Sequence, residues 1–355
     1  LDWRMVWGTL DTDTADAEKG DPQFYNQLDD LHLYLQSELS DSARLFTVAG
    51  IEEVNFEDFS KGSIDGSYFY LNSLFLEQDL PADFQVQAGY HSPDPVHKWL
   101  QVTRSAGIES ALGQDMTPQS LWIGGKWTGK NGFGIQGAAV PDLIGVESGS
   151  TDIRQITYQK DLGVPNLFSS FWYDSKNWDA ELAASVNGDA FKIASSGGYT
   201  YDFKPMKAAA SVGIKYTKGD DFTTYPLWDH LDKALRLSAG ISLNMPVLSF
   251  DFNPGLAYQT IYYDDSVRHE MGVDAGILYK ALEVFLVLTD YDLSRTVWSD
   301  TLGLETGVTL DYSGVEYTAG YTMAGFNTIS GLYNNKEWNE GGVNGLFLRI
   351  KATYW

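Results

Sequence analysis

Hydrophobic and polar side chains alternate with a period of two along most of the chain, and the alternation breaks only at polar stretches. In Asp30–Leu39, Leu31, Leu33, Leu35 and Leu39 share one face and His32, Tyr34, Gln36 and Glu38 the other. In Leu235–Met245, Leu235, Leu237, Ala239, Ile241 and Leu243 oppose Arg236, Ser238, Gly240, Ser242 and Asn244. Met271–Ala281 sets Met271, Val273, Ala275, Ile277 and Tyr279 against Asp274, Gly276 and Lys280, and Leu346–Tyr354 sets its apolar face against Phe347, Arg349, Lys351 and Thr353. Period two marks strands with one apolar face. That face would be core in a soluble sandwich; in an outer-membrane barrel it meets lipid, and the polar face lines the lumen.

The same reading predicts strands at Asp2–Thr9, Arg44–Phe56, Ser67–Gln78, Phe84–Tyr90, Gln119–Trp127, Phe133–Val140, Ile153–Lys160 and Leu167–Asp174. It continues with Ala208–Tyr216, Leu248–Tyr262, Val284–Asp292, Leu302–Tyr312 and Val315–Met323. The stretch 176–190 fits a short extra hairpin at Trp178–Val186 or a long loop, and one full strand is assigned after it, Phe191–Phe203. Tight turns alternate with longer loops, the asymmetry of short periplasmic turns and long external loops. Globular strands average nearer 5 to 6 residues, so this many strands of ~10 points away from a soluble sandwich. The expected fold is all-β: one transmembrane antiparallel barrel over residues 1–355, of about 18 strands with 16 as the alternative.

Composition sharpens this picture. With 355 residues, no cysteine and a net charge of −24, the chain offers no disulfide framework, no thiolate metal site and no basic nucleic-acid footprint. No apolar run is long enough for a membrane helix. Yet 14% of residues are aromatic and 35 are glycine in a chain whose mean hydropathy is −0.24. That combination suits a barrel, in which only alternate side chains meet lipid and Tyr and Trp form girdles at the interfaces.

The connection His91–Pro118 is the longest. Loops of that length in compact proteins are usually functional, and the third external loop of a wide barrel can fold inward to narrow the pore. Gly89, Pro93, Pro95–Val96, Arg104, Pro118–Gln119, Gly124 and the run Gly132-Phe133-Gly134-Ile135 resemble the corresponding region of the OprD family of substrate-specific outer-membrane channels. The resemblance implies an 18-strand barrel and passive uptake of a small polar solute; family substrates are carboxylates and basic amino acids. The chain departs from the family in shorter external loops and in lacking its full set of loop arginines.

If apolar faces meet lipid, Arg4, Lys126, Lys215, Arg236, Lys280, Arg349 and Lys351 line the pore, because a charge facing lipid at mid-depth costs a few kcal/mol. First and last strands must pair, so Arg4, Arg349 and Lys351 form a candidate basic strip for anions or carboxylates. Equally, these bases can balance inward Asp251, Asp274, Glu305, Asp311 and Glu316. In the third loop, Asp94, Lys98, Arg104 and Glu109 are constriction candidates, with Trp99 as an apolar contact for a sugar face. His32, His91, His97, His230 and His269 are scattered, and neither Gly-x-Ser-x-Gly nor His-Glu-x-x-His occurs, so no enzyme and no cofactor is expected. Asp11, Asp13 and Asp16 of the first loop fail the EF-hand spacing, so no metal site is expected. The function read from sequence is selective diffusion of small hydrophilic solutes (carboxylates, amino acids or small sugars) across a Gram-negative outer membrane. The protein would be a monomer or homotrimer in contact with lipid and lipopolysaccharide. A general trimeric porin, a plugged barrel that binds a partner through its external loops, and a barrel enzyme are the alternatives.

Overall fold

The computed structural model describes residues 2–10, 23–55, 68–91, 93, 103–104, 116, 120–140, 145–146, 156–157, 167–187, 190–221, 231–263, 266–290, 293, 302–323 and 343–352. In chain order the strands are β1 (Asp2–Leu10), β2 (Gln23–Ser40), β3 (Ala43–Asn55), β4 (Tyr68–Leu80), β5 (Phe84–His91), β6 (Ser120–Thr128) and β7 (Phe133–Ala139). Next come β8 (Gly145–Val146), β9 (Ile156–Thr157), β10 (Leu167–Asp174), β11 (Trp178–Asn187), β12 (Ala190–Phe203), β13 (Met206–Asp221) and β14 (Leu231–Val247). The chain continues with β15 (Phe250–Tyr263), β16 (Ser266–Tyr279), β17 (Leu282–Asp290), β18 (Leu302–Tyr312), β19 (Val315–Met323) and β20 (Val343–Ala352). All but β8 and β9 belong to one 18-stranded antiparallel sheet, while those two pair only with each other.

The sheet closes on itself. Each wall strand pairs with its successor, β7 pairs directly with β10, and β20 pairs with β1 in a register that sets Arg349 opposite Arg4. Closure leaves no unpaired strand edge, the condition for crossing a bilayer with strands. One rim is made of tight turns, among them Lys280–Ala281 and Ser313–Gly314, where Lys280, Ser313 and Gly314 take φ of 56°, 54° and 80°. Two-residue hairpins demand such positive φ, and glycine at 314 adopts it without a Cβ penalty.

Among the described side chains, those facing outward are mostly apolar and exposed. Leu282, Val284, Leu286 and Leu288 of β17 face out, whereas Phe285, Val287 and Thr289 between them are buried inside. Around the turn rim, aromatic neighbours form a girdle: Phe133–Tyr173 at 4.6 Å, Trp178–Tyr199 at 4.4 Å, Tyr201–Phe203 at 5.4 Å and Phe250–Tyr279 at 5.2 Å between ring centroids. An apolar belt bounded by Tyr and Trp is the lipid-facing surface of an outer-membrane barrel. Val212 stands mid-strand on that belt, 62% exposed. Val212→Arg is therefore expected to cost ~2–4 kcal/mol of folding stability in lipid vesicles. A urea titration monitored by gel mobility checks this, and an unchanged midpoint would put that face away from lipid.

Two strand assignments from sequence exchange places. Of Ile153–Lys160, the described residues Ile156–Thr157 are not part of the wall but pair with β8 in a separate two-stranded sheet. Both faces of that stretch carry Gln, Arg or Lys, so neither can lie against hydrocarbon. Trp178–Asn187, in the stretch 176–190 left open between a hairpin and a loop, is instead a full wall strand paired with β10 and β12. Its outward series Trp178, Ala180, Leu182, Ala184 and Val186 is unbroken, though small alanines mute the signal. The strand total survives because the two errors offset.

Candidate functional site

The interior is asymmetric. Many inward side chains on β10 to β18 are buried, including Ser170, Glu181, Lys215, Arg236, Glu270, Asp274 and Glu305, whereas inward Tyr34 on β2 is 66% exposed. Gln36 is exposed, and Phe46 and Phe75 are half-buried on the same side. Ser73 and Glu77 of β4 and His91 of β5 are buried, so the open side of the interior lies beside β2.

Part of the cover is the connection between β5 and β6. Its residue Arg104 reaches the inner wall of β15 to β17, where its backbone N–H donates to Asp274 Oδ2 at 3.1 Å. The guidinium group donates to Asp274 Oδ1 at 3.3 Å, to the Asn253 carbonyl at 3.3 Å and to Glu283 Oε1. Asp274 is buried, so its charge depends on this partner. Gly276 makes the grip possible, since a Cβ there would overlap both the Arg104 guanidinium and the Glu283 carboxylate. Farther along the same connection Met116 is fully buried in a cluster with Trp122, Ala138, Val140, Phe168, Ala183 and Ala194. The third connection is therefore held inside the barrel at two places, by ion pairs at Arg104 and by apolar packing at Met116. His91, read from sequence as part of this loop, is the last residue of β5, with its Nδ1 3.1 Å from the Gly89 carbonyl and its ring over Phe75 at 4.8 Å.

Of the other constriction candidates, Asp94, Lys98, Trp99 and Glu109 lie outside the described residues. Lys126 faces inward near the turn rim, opposite Gln85 and Gln136. Lys215 stands directly opposite Arg236, and Arg236 is followed in the same rung by Ile261 and Arg268. This rung of bases has acidic company, since Glu270 takes Arg268 Nε at 3.1 Å and the Gln259 amide at 3.1 Å. Arg268 of this rung is thus paired with an acid. Arg349 stands between Arg4 and Thr318 in the closing ladders, while Lys351 stands between Asp2 and Glu316. Lys280 is a correction: it is not on a wall strand but in the turn after β16, exposed, with Nζ 5.2 Å from the Tyr279 ring centroid. A two-residue hairpin needs the positive φ of a turn at this position, which takes the side chain out of the strand's alternation.

The sequence reading gives no site role to Arg268, Glu270 and Glu283, and places Gly276 only on the polar face of its strand. For Arg268 and Glu270 the signal was present: the alternation of β16 continues back through His269 and Val267, but the stretch before Met271 reads as loop because it is strongly polar.

No protein-family model matches the chain, and no curated protein matches it by sequence. Solved structures do resemble it in fold. OccK9 (OpdG) of Pseudomonas aeruginosa shares 12% identity at a TM-score of 0.55, covering 98% of this chain and 96% of its own. A BenF-like porin from Pseudomonas fluorescens Pf-5 matches with the same values. OccK2 (OpdF) of P. aeruginosa, solved in complex with glucuronate, gives a TM-score of 0.56 at 9% identity over 98% and 95%. At such identities the likeness is one of fold, and it spans the whole barrel.

Proposed function

We propose that the chain is an outer-membrane channel for passive, selective diffusion of small hydrophilic solutes. The observation that carries this reading is the Arg104 clamp, which fastens the third connection across the inner wall and leaves the inner face of β2 open. A closed wall with lipid outside and a loop pinned inside builds a narrowed pore, and a narrow, low-dielectric pore sorts solutes by size and charge. The lining carries both signs, so selectivity rests on where charges stand rather than on net charge. OccK2, similar in fold and crystallised with glucuronate, makes sugar acids the first solutes to try. No bond is made or broken in this function, and no cofactor takes part. The lipid partners are the outer leaflet's lipopolysaccharide on the loop side and phospholipid at the turn-side girdle. Swelling of proteoliposomes tests the proposal: small solutes are expected to enter at rates that differ among solutes of equal size. Entry governed by size alone would favour a general trimeric porin instead.

A further inference from the structure

On the turn side of the Arg104 clamp, the inner wall of β12 to β16 is hollowed into a recess of about 420 Å³, within the range of small-molecule sites. Thr103 and Arg104 roof it, and Thr200, Lys207, Ser242, Asn244 and Asn253 supply its polar lining. Small Ala209 lies between Thr200 and Ser242 in the ladders and leaves room above the wall. Asn244 Nδ2 donates to Asn253 Oδ1 at 2.6 Å, which fixes both amides. That contact leaves the Asn244 carbonyl oxygen as an acceptor and the Asn253 amide N–H groups as donors, side by side. The hydroxyls of Thr200 and Ser242 and the Lys207 ammonium carry no side-chain hydrogen bond among the described residues. Asp274, the carboxylate of the lining, is already held by Arg104.

This set selects a chemistry. An apolar solute would leave the amides and hydroxyls unpaired, which costs free energy. A multiply charged anion would find only one unengaged cation. Vicinal hydroxyls, each able to donate and accept, match a fixed donor beside a fixed acceptor with further hydroxyls in reach. We propose that the recess is an exit-side subsite for a polyhydroxylated solute of hexose size. The proposal rests on the channel reading.

The test is current block by D-glucose added from the turn side of the reconstituted full-length channel, with betaine, which has no hydroxyls, as control. Thr200→Val combined with Asn244→Leu is expected to raise the half-blocking glucose concentration by about threefold or more. Betaine should act alike on variant and parent. Ser242→Ala with Lys207→Ala gives an independent second variant should the first fail to insert. Glucose that leaves the parent's current untouched, a half-blocking concentration that moves in neither variant, or a parallel change for betaine would overturn the subsite. A stable sugar-free current in the same recordings shows that the channel itself stands even then, whereas its absence defeats the channel reading and the subsite together.

Discussion

Arg104→Ala is expected to widen the passage, raising single-channel conductance severalfold and making the third connection open to added protease. Arg104 is the only described group that pairs Asp274, whose side chain is buried at 2% exposure. Removing one partner of a buried ion pair costs ~3–5 kcal/mol, because the other charge is left uncompensated. The local equilibrium between docked and undocked loop should therefore move by more than a hundredfold, since about 1.4 kcal/mol is tenfold. Two companions separate the mechanism from simple loss of charge. Gly276→Val keeps every charge and fills the space of the guanidinium, so it should open the channel as Arg104→Ala does. Asp274→Asn in the Arg104→Ala background removes the stranded carboxylate and should not close it again. Conductance equal to the parent in both Arg104→Ala and Gly276→Val would mean that the loop is held elsewhere, by the Met116 cluster alone.

The second large effect concerns ion preference. Arg4→Glu together with Arg349→Glu replaces two basic residues that are partners in the closing ladder by two acidic ones. The chloride-to-potassium permeability ratio should fall severalfold, most clearly below about 0.1 M salt, where the screening length exceeds ~10 Å. Lys351→Gln makes the control. Its ladder neighbours are the acidic residues Asp2 and Glu316, so the loss of its charge is expected to leave the ratio nearly unchanged. An unaltered ratio in the double variant would assign Arg4 and Arg349 a structural role.

Much of the barrel was legible because a lipid-facing strand must keep one face free of charge for its whole span. Where that face is made of large residues, as in β14 or β17, the strand is unmistakable. Where alanine fills it, as in β11, hydrophobicity contrast drops and the strand merges with its turns. The opposite error at Ile153–Lys160 arose from β-branched and aromatic residues that alternate without leaving either face apolar. Strand ends near the outer rim were underread because lipid ends there: His269 faces outward within hydrogen-bond reach of Tyr258 Oη at 2.7 Å, a polar pair that alternation alone scores as loop. The site was less accessible. That the third loop turns inward followed from its length, but its anchor did not. Asp274, Glu283 and Gly276 become one cradle only when β16 and β17 pair and Arg104, remote in sequence, is set between them. No spacing along the chain encodes that meeting.

The wide interior also explains why inward charge could be read but not its sign. Ladder neighbours bear on whether a base is balanced, as Lys351 between Asp2 and Glu316 shows, and those neighbours lie on strands joined by loops of unrelated composition.

The most direct measurement is planar-bilayer recording of the purified protein. A channel narrowed by a pinned loop should give stable, discrete conductance steps that are reduced by small polar solutes in a solute-dependent way. No conductance after insertion is verified, for the parent and for Arg104→Ala alike, would contradict the account and identify a plugged barrel.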